Sequence, residues 1–221
     1  MAAGYRSITT GAMTGGGASG ITLTKPAGTT DGDFLLTRVA LHSGTATVNT
    51  LAGWTGFISV VYNTNMHEEL FWRIASSEPA SYAWTFSTNA RGVAEVVAFT
   101  GVNAIDTNNN TNTTATSTLV APSLTALTAN EMLVCFFSQA DGAGAPFSQP
   151  TGMTEIADHT SGTNKSHTAG SVNYQAITAS GATGTRTSTS SSTEDSISTS
   201  VLLYTFAAQD NNLLTIMGAG H

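Results

Sequence analysis

The sequence predicts an all-β protein, a jelly-roll-like antiparallel β-sandwich built from two similar halves. Three observations carry that expectation. Apolar residues recur with a period of two, turn residues punctuate the chain at short intervals, and one ordered series of short motifs occurs twice. No window has both the length and the 3.6-residue spacing that a helix requires.

Taken in order, the first clear stripe is Leu35, Thr37, Val39 and Leu41, which share one face of a strand. Leu70, Trp72 and Ile74 form a second stripe, and Tyr82, Trp84 and Phe86 a third. Threonine suits such strands, because its branched Cβ favours extended backbone while its hydroxyl keeps an outer face wet without charge. Lys25-Pro26-Ala27-Gly28, Asp31-Gly32, Asn89-Ala90-Arg91-Gly92 and Asp141-Gly142 supply turns between runs.

The repeat begins where Asp33-Phe34-Leu35-Leu36 is echoed by Glu131-Met132-Leu133-Val134. Gly53-Trp54-Thr55 then matches Gly152-Met153-Thr154, Phe71-Trp72-Arg73-Ile74 matches Tyr174-Gln175-Ala176-Ile177, and Val93 to Phe99 matches Ser200 to Phe206. Each copy offers only about five short strands, so the expectation is one sandwich domain over 1–208, with halves at about 20–105 and 117–206. Two low-complexity tracts, Thr107 to Thr118 and Thr183 to Thr193, are expected to be held by neighbours, as packed strands or against other subunits. The tail 209–221 has no counterpart in the first copy. Its apolar cluster, Leu213, Leu214, Ile216 and Met217, fits an anchor on another chain or packing on its own domain.

Composition excludes several classes. Charged residues make up 10% of the chain, too few for the faces of a helical bundle or for a disordered chain. Seven cations and a net charge of −7 argue against nucleic-acid binding, which needs clustered cations against phosphate. The longest strongly apolar run, Met132 to Phe137, is far too short to span a membrane, and the start lacks an apolar leader, so a soluble chain made in the cytoplasm is expected. Cys135 sits inside that run and reads as an inert buried thiol.

Candidate chemistry is sparse. Gly15 to Gly20 satisfies the spacing G-x-G-x-x-G, yet a strand pattern and Pro26 follow it rather than a helix, so it reads as a loop. Asp106-Thr107-Asn108-Asn109-Asn110 opens like a calcium loop, but Thr111 stands where glycine is needed and Ser117 where a bidentate Glu is needed. The acidic pairs Asp31/Asp33, Glu68/Glu69 and Glu194/Asp195 read as turn chemistry and solvated strand positions. The five histidines lack zinc spacing, and there is no G-x-S-x-G elbow, so no catalytic residue, metal site or cofactor is expected. Among the tryptophans, Trp72 and Trp84 are expected in the core. Trp54, in a turn after Gly53, is expected to be partly exposed and is the candidate ligand contact.

The ordered set Gly-Asp-Phe-Leu-Leu (32 to 36), Gly-Trp-Thr (53 to 55), Phe-Trp-Arg-Ile-Ala (71 to 75), Pro-Ala-Ser-Tyr-Ala-Trp-Thr (79 to 85) and Ala-Phe-Thr-Gly-Val (98 to 102) resembles a family of phage and prophage β-sandwich virion proteins. These include head decoration or cement proteins, head fibres and lectin-like adhesion modules. The resemblance implies a non-enzymatic protein of the capsid surface, a homo-oligomer with a trimer favoured, bound to the major capsid protein. It carries over no ligand residues. The second copy departs from the pattern, with Met153 replacing the tryptophan and Thr187 where Trp84 would fall. The alternative function is a receptor- or glycan-binding module of a tail or head fibre, contacting a host-surface glycan through Trp54. Neither reading involves nucleic acid or membrane.

Overall fold

The computed structural model describes residues 3–204, which form an all-β antiparallel sandwich of two similar sheets. The candidate anchor residues Leu213, Leu214, Ile216 and Met217 lie outside the described residues. The first half contributes β1 (Gly4–Thr24), β2 (Phe34–His42), β3 (Val48–Asn49), β4 (Thr55–Tyr62), β5 (Met66–Ile74) and β6 (Ser81–Thr100). The second contributes β7 (Ala104–Ala121), β8 (Thr125–Ala126), β9 (Glu131–Gln139), β10 (Thr154–Thr160), β11 (Ala169–Ile177), β12 (Gly181–Ala182) and β13 (Arg186–Tyr204). One sheet runs β1-β6-β2-β5-β4 with β3 also on β6, the other runs β7-β13-β9-β11-β10, and β8 pairs with β12. Read in this direction, the two five-strand orders are the same topology written twice.

Local chemistry explains the likeness. Each central strand is entered through a turn closed by its acidic residue: Thr30 N donates to Asp33 Oδ2 at 2.8 Å, and Thr128 N donates to Glu131 Oε1 at 2.7 Å. The Gly-Trp-Thr and Gly-Met-Thr motifs are one turn used twice. Gly53 and Gly152 both have φ of +81°, which an L side chain resists, and the next amide donates back to Leu51 or Pro150.

Strand register corrects the repeat in two places. Leu36 pairs with Trp72 and Val134 with Tyr174, so Trp72, not Phe71, corresponds to Tyr174. Phe34 pairs with Phe99 and Met132 with Leu203, so Val93 to Phe99 corresponds to Ile197 to Leu203, rather than Ser200 to Phe206. A one-residue slip would exchange the faces of a strand, which is why the ladder decides where similarity cannot. For the same reason Thr187 is not the buried counterpart of Trp84; it is exposed, and the buried position of that ladder is Ser188.

Three apolar layers result. Phe34, Leu36, Leu70, Val97 and Phe99 of the first sheet meet Met132, Val134, Phe136, Val172, Val201 and Leu203 of the second. On its other face the first sheet packs Leu35, Val39, Leu41 and Phe71 against Leu23, Tyr82, Trp84 and Phe86, which come from the far ends of β1 and β6. The second sheet has an equivalent layer of Leu133, Cys135, Phe137, Phe147 and Met153. The stripe Leu35, Val39, Leu41 is therefore one face as expected, but the opposite face is buried too, and β2 and β9 are closed to solvent almost throughout. The Thr/Asn tract lies in β7 and much of the Ser/Thr tract in β13; the two tracts meet at Thr118 with Thr189, and most of the Thr/Asn tract pairs further along β13, as at Asn110 with Thr199.

Candidate functional site

Because β2 is covered on both faces, its alternate residue Arg38 points into the layer between the sheets, where it is wholly buried. A buried guanidinium survives only if its donors are met. Arg38 Nε donates to Glu95 Oε2 at 2.9 Å, Nη2 donates to Glu95 Oε1, and Nη1 donates to Phe137 O at 3.0 Å and Ser138 Oγ at 2.9 Å. Its plane lies over the Phe136 ring, 5.1 Å from the centroid. Glu95 comes from the cross-strand neighbour on β6, so the fork and carboxylate meet by register alone. His159 on β10 brings Nε2 to 3.0 Å from Glu95 Oε1.

A second carboxylate, Glu68 of β5, is equally buried. Ser138 Oγ donates to its Oε2 and Thr199 Oγ1 to its Oε1, each at 2.6 Å, while the nearest guanidinium nitrogen is 3.8 Å away. Burial pushes the Glu95 carboxyl up, but Arg38 and then His159 outweigh it and hold it down at about 2. For Glu68 burial prevails over the opposing Arg38 and the two hydroxyls, and its carboxyl lies above the ordinary range. The expectation that Glu68 and Glu69 are solvated strand positions is thus overturned. Glu68 is sealed between the sheets, and Glu69 accepts from Val48 N at 2.8 Å to tie down β3. Arg38 and Glu95 escaped the sequence reading altogether.

The register shows what this cluster rests on. Arg38, Ala40, Glu68 and Glu95 occupy the ladder positions taken in the second half by Phe136, Ser138, Gly170 and Thr199. All four counterparts serve the charges. Phe136 lies beneath Arg38, Ser138 bonds both Arg38 and Glu68, and Thr199 bonds Glu68. Gly170 leaves the space: a Cβ there would sit 2.5 Å from Arg38 Nη2.

The other sequence candidates take the following places in the fold. Trp54 is not partly exposed; it is 5% exposed, packed edge-on against Tyr82 at 5.2 Å and Trp84 at 5.3 Å, because its turn folds back over the outer core. Gly15 to Gly20 lies within β1, at a break in register between Met13 and Ala18, and opens no helix. Asp106 to Asn110 is extended strand paired with β13, not a calcium loop. Ser59 Oγ lies 3.1 Å from His67 Nε2, but Glu69 approaches that same nitrogen at 3.3 Å while Nδ1 faces Ala46 O, so the carboxylate is on the wrong side for a triad. Ser161, 3.1 Å from His167 Nδ1, is buried and already bonded to the backbone of Thr168. Burial pushes the Cys135 thiol up to about 12, which keeps it protonated and unreactive. Among the described residues no group of three or more His, Cys, Asp or Glu is placed to hold a metal ion.

A surface depression of about 430 Å³ lies along the start of β7. Asp106, Asn108, Asn109, Thr125 and Leu127 line it, and Leu127 is 70% exposed. No helix among the described residues is long and apolar enough to cross a membrane. Comparison with known proteins returned no matching family, no matching characterised protein and no matching solved structure.

Proposed function

We propose that the chain is a non-enzymatic structural protein of a phage virion, a decoration or cement protein that binds the major capsid protein and stabilises the head. The observation that carries this reading is the division of polar chemistry. The strongest charged groups are spent inside, on holding the two sheets together, while the long outer strands are almost uncharged: Arg6 is the one charged residue of β1 and Asp106 the one of β7. Among the described residues each of these strands is hydrogen-bonded on one side only. Proteins that stay monomeric usually blunt such edges with lysine, proline or short strands, so long uncharged edges suit a protein made to sit among neighbours. Many copies clamping adjacent capsomers need only modest individual contacts, because the array is strong through multivalency.

The motif resemblance supports the same reading and favours a trimer. The test is light scattering for oligomeric mass, followed by co-sedimentation with capsids that lack the protein. Binding to shells together with a higher shell melting temperature is the expected result. A species that ignores shells and binds host cells would overturn it in favour of the adhesin reading. The depression beside Asp106, Asn108, Asn109 and Leu127 is the observation that favours this second reading, since amides, a carboxylate and an apolar side chain on one rim suit a sugar ring. With Trp54 buried, that rim rather than Trp54 is where a glycan would bind.

A further inference from the structure

Three buried charges do not balance. Arg38 and Glu95 form a bidentate pair that cancels, and the remaining Arg38 donors go to Phe137 O and Ser138 Oγ. Among the described residues Glu68 has no cation of its own and shares Arg38 only through a long contact, 3.8 Å to the nearest guanidinium nitrogen, while it is buried completely. The groups facing it say the same. β2 presents Arg38, β6 presents Glu95 and β10 presents His159, which is turned to Glu95 rather than to Glu68. β4 presents Val60, β9 presents Phe136 and Ser138, β11 presents Gly170 and Val172, and β13 presents Thr199 and Val201. An ionised Glu68 would put a net negative charge in a dry layer.

We propose that Glu68 is the proton-bearing member of a buried lock between the two sheets, neutral in the folded chain, so that the halves hold most tightly in mild acid and loosen as pH rises. The hydroxyls accommodate that proton with a single hydroxyl rotation. Ser138 Oγ accepts from Arg38 and so donates to Glu68 Oε2, which leaves Oε1 to carry the proton; once the Thr199 hydroxyl turns its own hydrogen away, Oε1 donates to Thr199 Oγ1 across the 2.6 Å contact and the direction of that bond is reversed. Burial acts in the same direction on this carboxyl.

The sign follows from linkage. Below the ordinary carboxylate range both folded and unfolded chains hold the proton, and the full stability is present. Above that range the unfolded chain releases its proton while the folded chain keeps it, so the unfolding constant rises about tenfold per pH unit until Glu68 itself ionises. Glu95 works oppositely, losing stability only as pH falls below about 4.5 toward 2.

The experiment is urea unfolding of the full chain and of Glu68→Gln from pH 4 upward. The wild-type midpoint should fall as pH rises, and Glu68→Gln, which keeps the shape and stays neutral, should abolish most of that fall. A wild-type midpoint that is flat, or that falls in parallel in both proteins, would overturn the proposal. Infrared spectra of protein labelled at glutamate decide independently of whether Glu68→Gln folds; Glu155 of β10, whose carboxyl is also pushed up by burial and then by Asp158, is changed to Gln in that protein so that it adds no band of its own. The proposal requires a protonated-carboxyl band in folded protein that persists above the ordinary carboxylate range, where the unfolded chain has lost it. Absence of the band would overturn it.

Discussion

Where β2 faces β9, the first half places Arg38, Ala40, Glu68 and Glu95, and the second half places Phe136, Ser138, Gly170 and Thr199 at the same ladder positions. One set is charged and the other neutral, small or aromatic, although the surrounding strands share one topology. The halves are therefore not interchangeable. Two copies of the first half face to face would bury two guanidiniums and four carboxylates with no hydroxyls to bond them, and two copies of the second would leave Ser138 and Thr199 without partners. Only the mixed pairing satisfies every group, so divergence at four positions specifies which sheet meets which.

The largest expected effect comes from removing the central charge. Arg38→Met strands Glu95 and Glu68 in a dry layer and should cost about 3–5 kcal/mol by urea unfolding, whereas Phe136→Leu at the matching position should cost less than about 1.5. Equal costs would break the comparison. Gly170→Ala should cost about 1–3 kcal/mol, because its Cβ meets an Arg38 nitrogen that the bidentate pair holds in place. Proteolysis or thermal melting would read that loss. On acidification, Glu95 should contribute a decline that starts below about pH 4.5 and runs toward 2, and Glu95→Gln should flatten that limb of the midpoint-against-pH curve. The smallest effect sharpens the likeness instead. Gly17 and Ala115 sit in equivalent register breaks of β1 and β7, both at positive φ, +89° and +45°. Ala115→Gly should therefore stabilise by about 1 kcal/mol, measured as a shift in melting temperature.

Much of this architecture was legible in the residues. The stripes at Leu35, Val39, Leu41 and at Tyr82, Trp84, Phe86 became the outer core, and the paired turns at Gly53 and Gly152 became one conformation used twice. What stayed hidden was the second buried face. Alternation suggests one wet face per strand, and that assumption sent Glu68 to solvent and passed over Arg38 and Glu95. A signal was present: Phe34 to Leu41 and Val93 to Phe99 are apolar at both parities except for Thr37 and two charges, Arg38 and Glu95. A lone charge in a doubly apolar strand is either misplaced or paired across the sheet. Similarity alone could not complete the inference, since the repeat drifts by a residue or more between strands and only the ladder sets Gly170 against Glu68. Trp54 misled for a different reason. A turn residue is usually exposed, but this turn lies on the sheet, where Tyr82 and Trp84 enclose the indole.

A double-mutant cycle of Arg38→Lys and Ser138→Ala asks whether the charged cluster is seated on the opposite sheet. Lysine keeps the positive charge but loses the fork that spans Glu95, Phe137 O and Ser138, and alanine removes the hydroxyl that the fork reaches from the opposite sheet. If the first half is seated on its own neutral counterparts, the two losses will not add, and the coupling will be about 1 kcal/mol or more. Additive losses, with coupling near zero, would mean that Arg38 and the second sheet are merely neighbours, and would contradict the account.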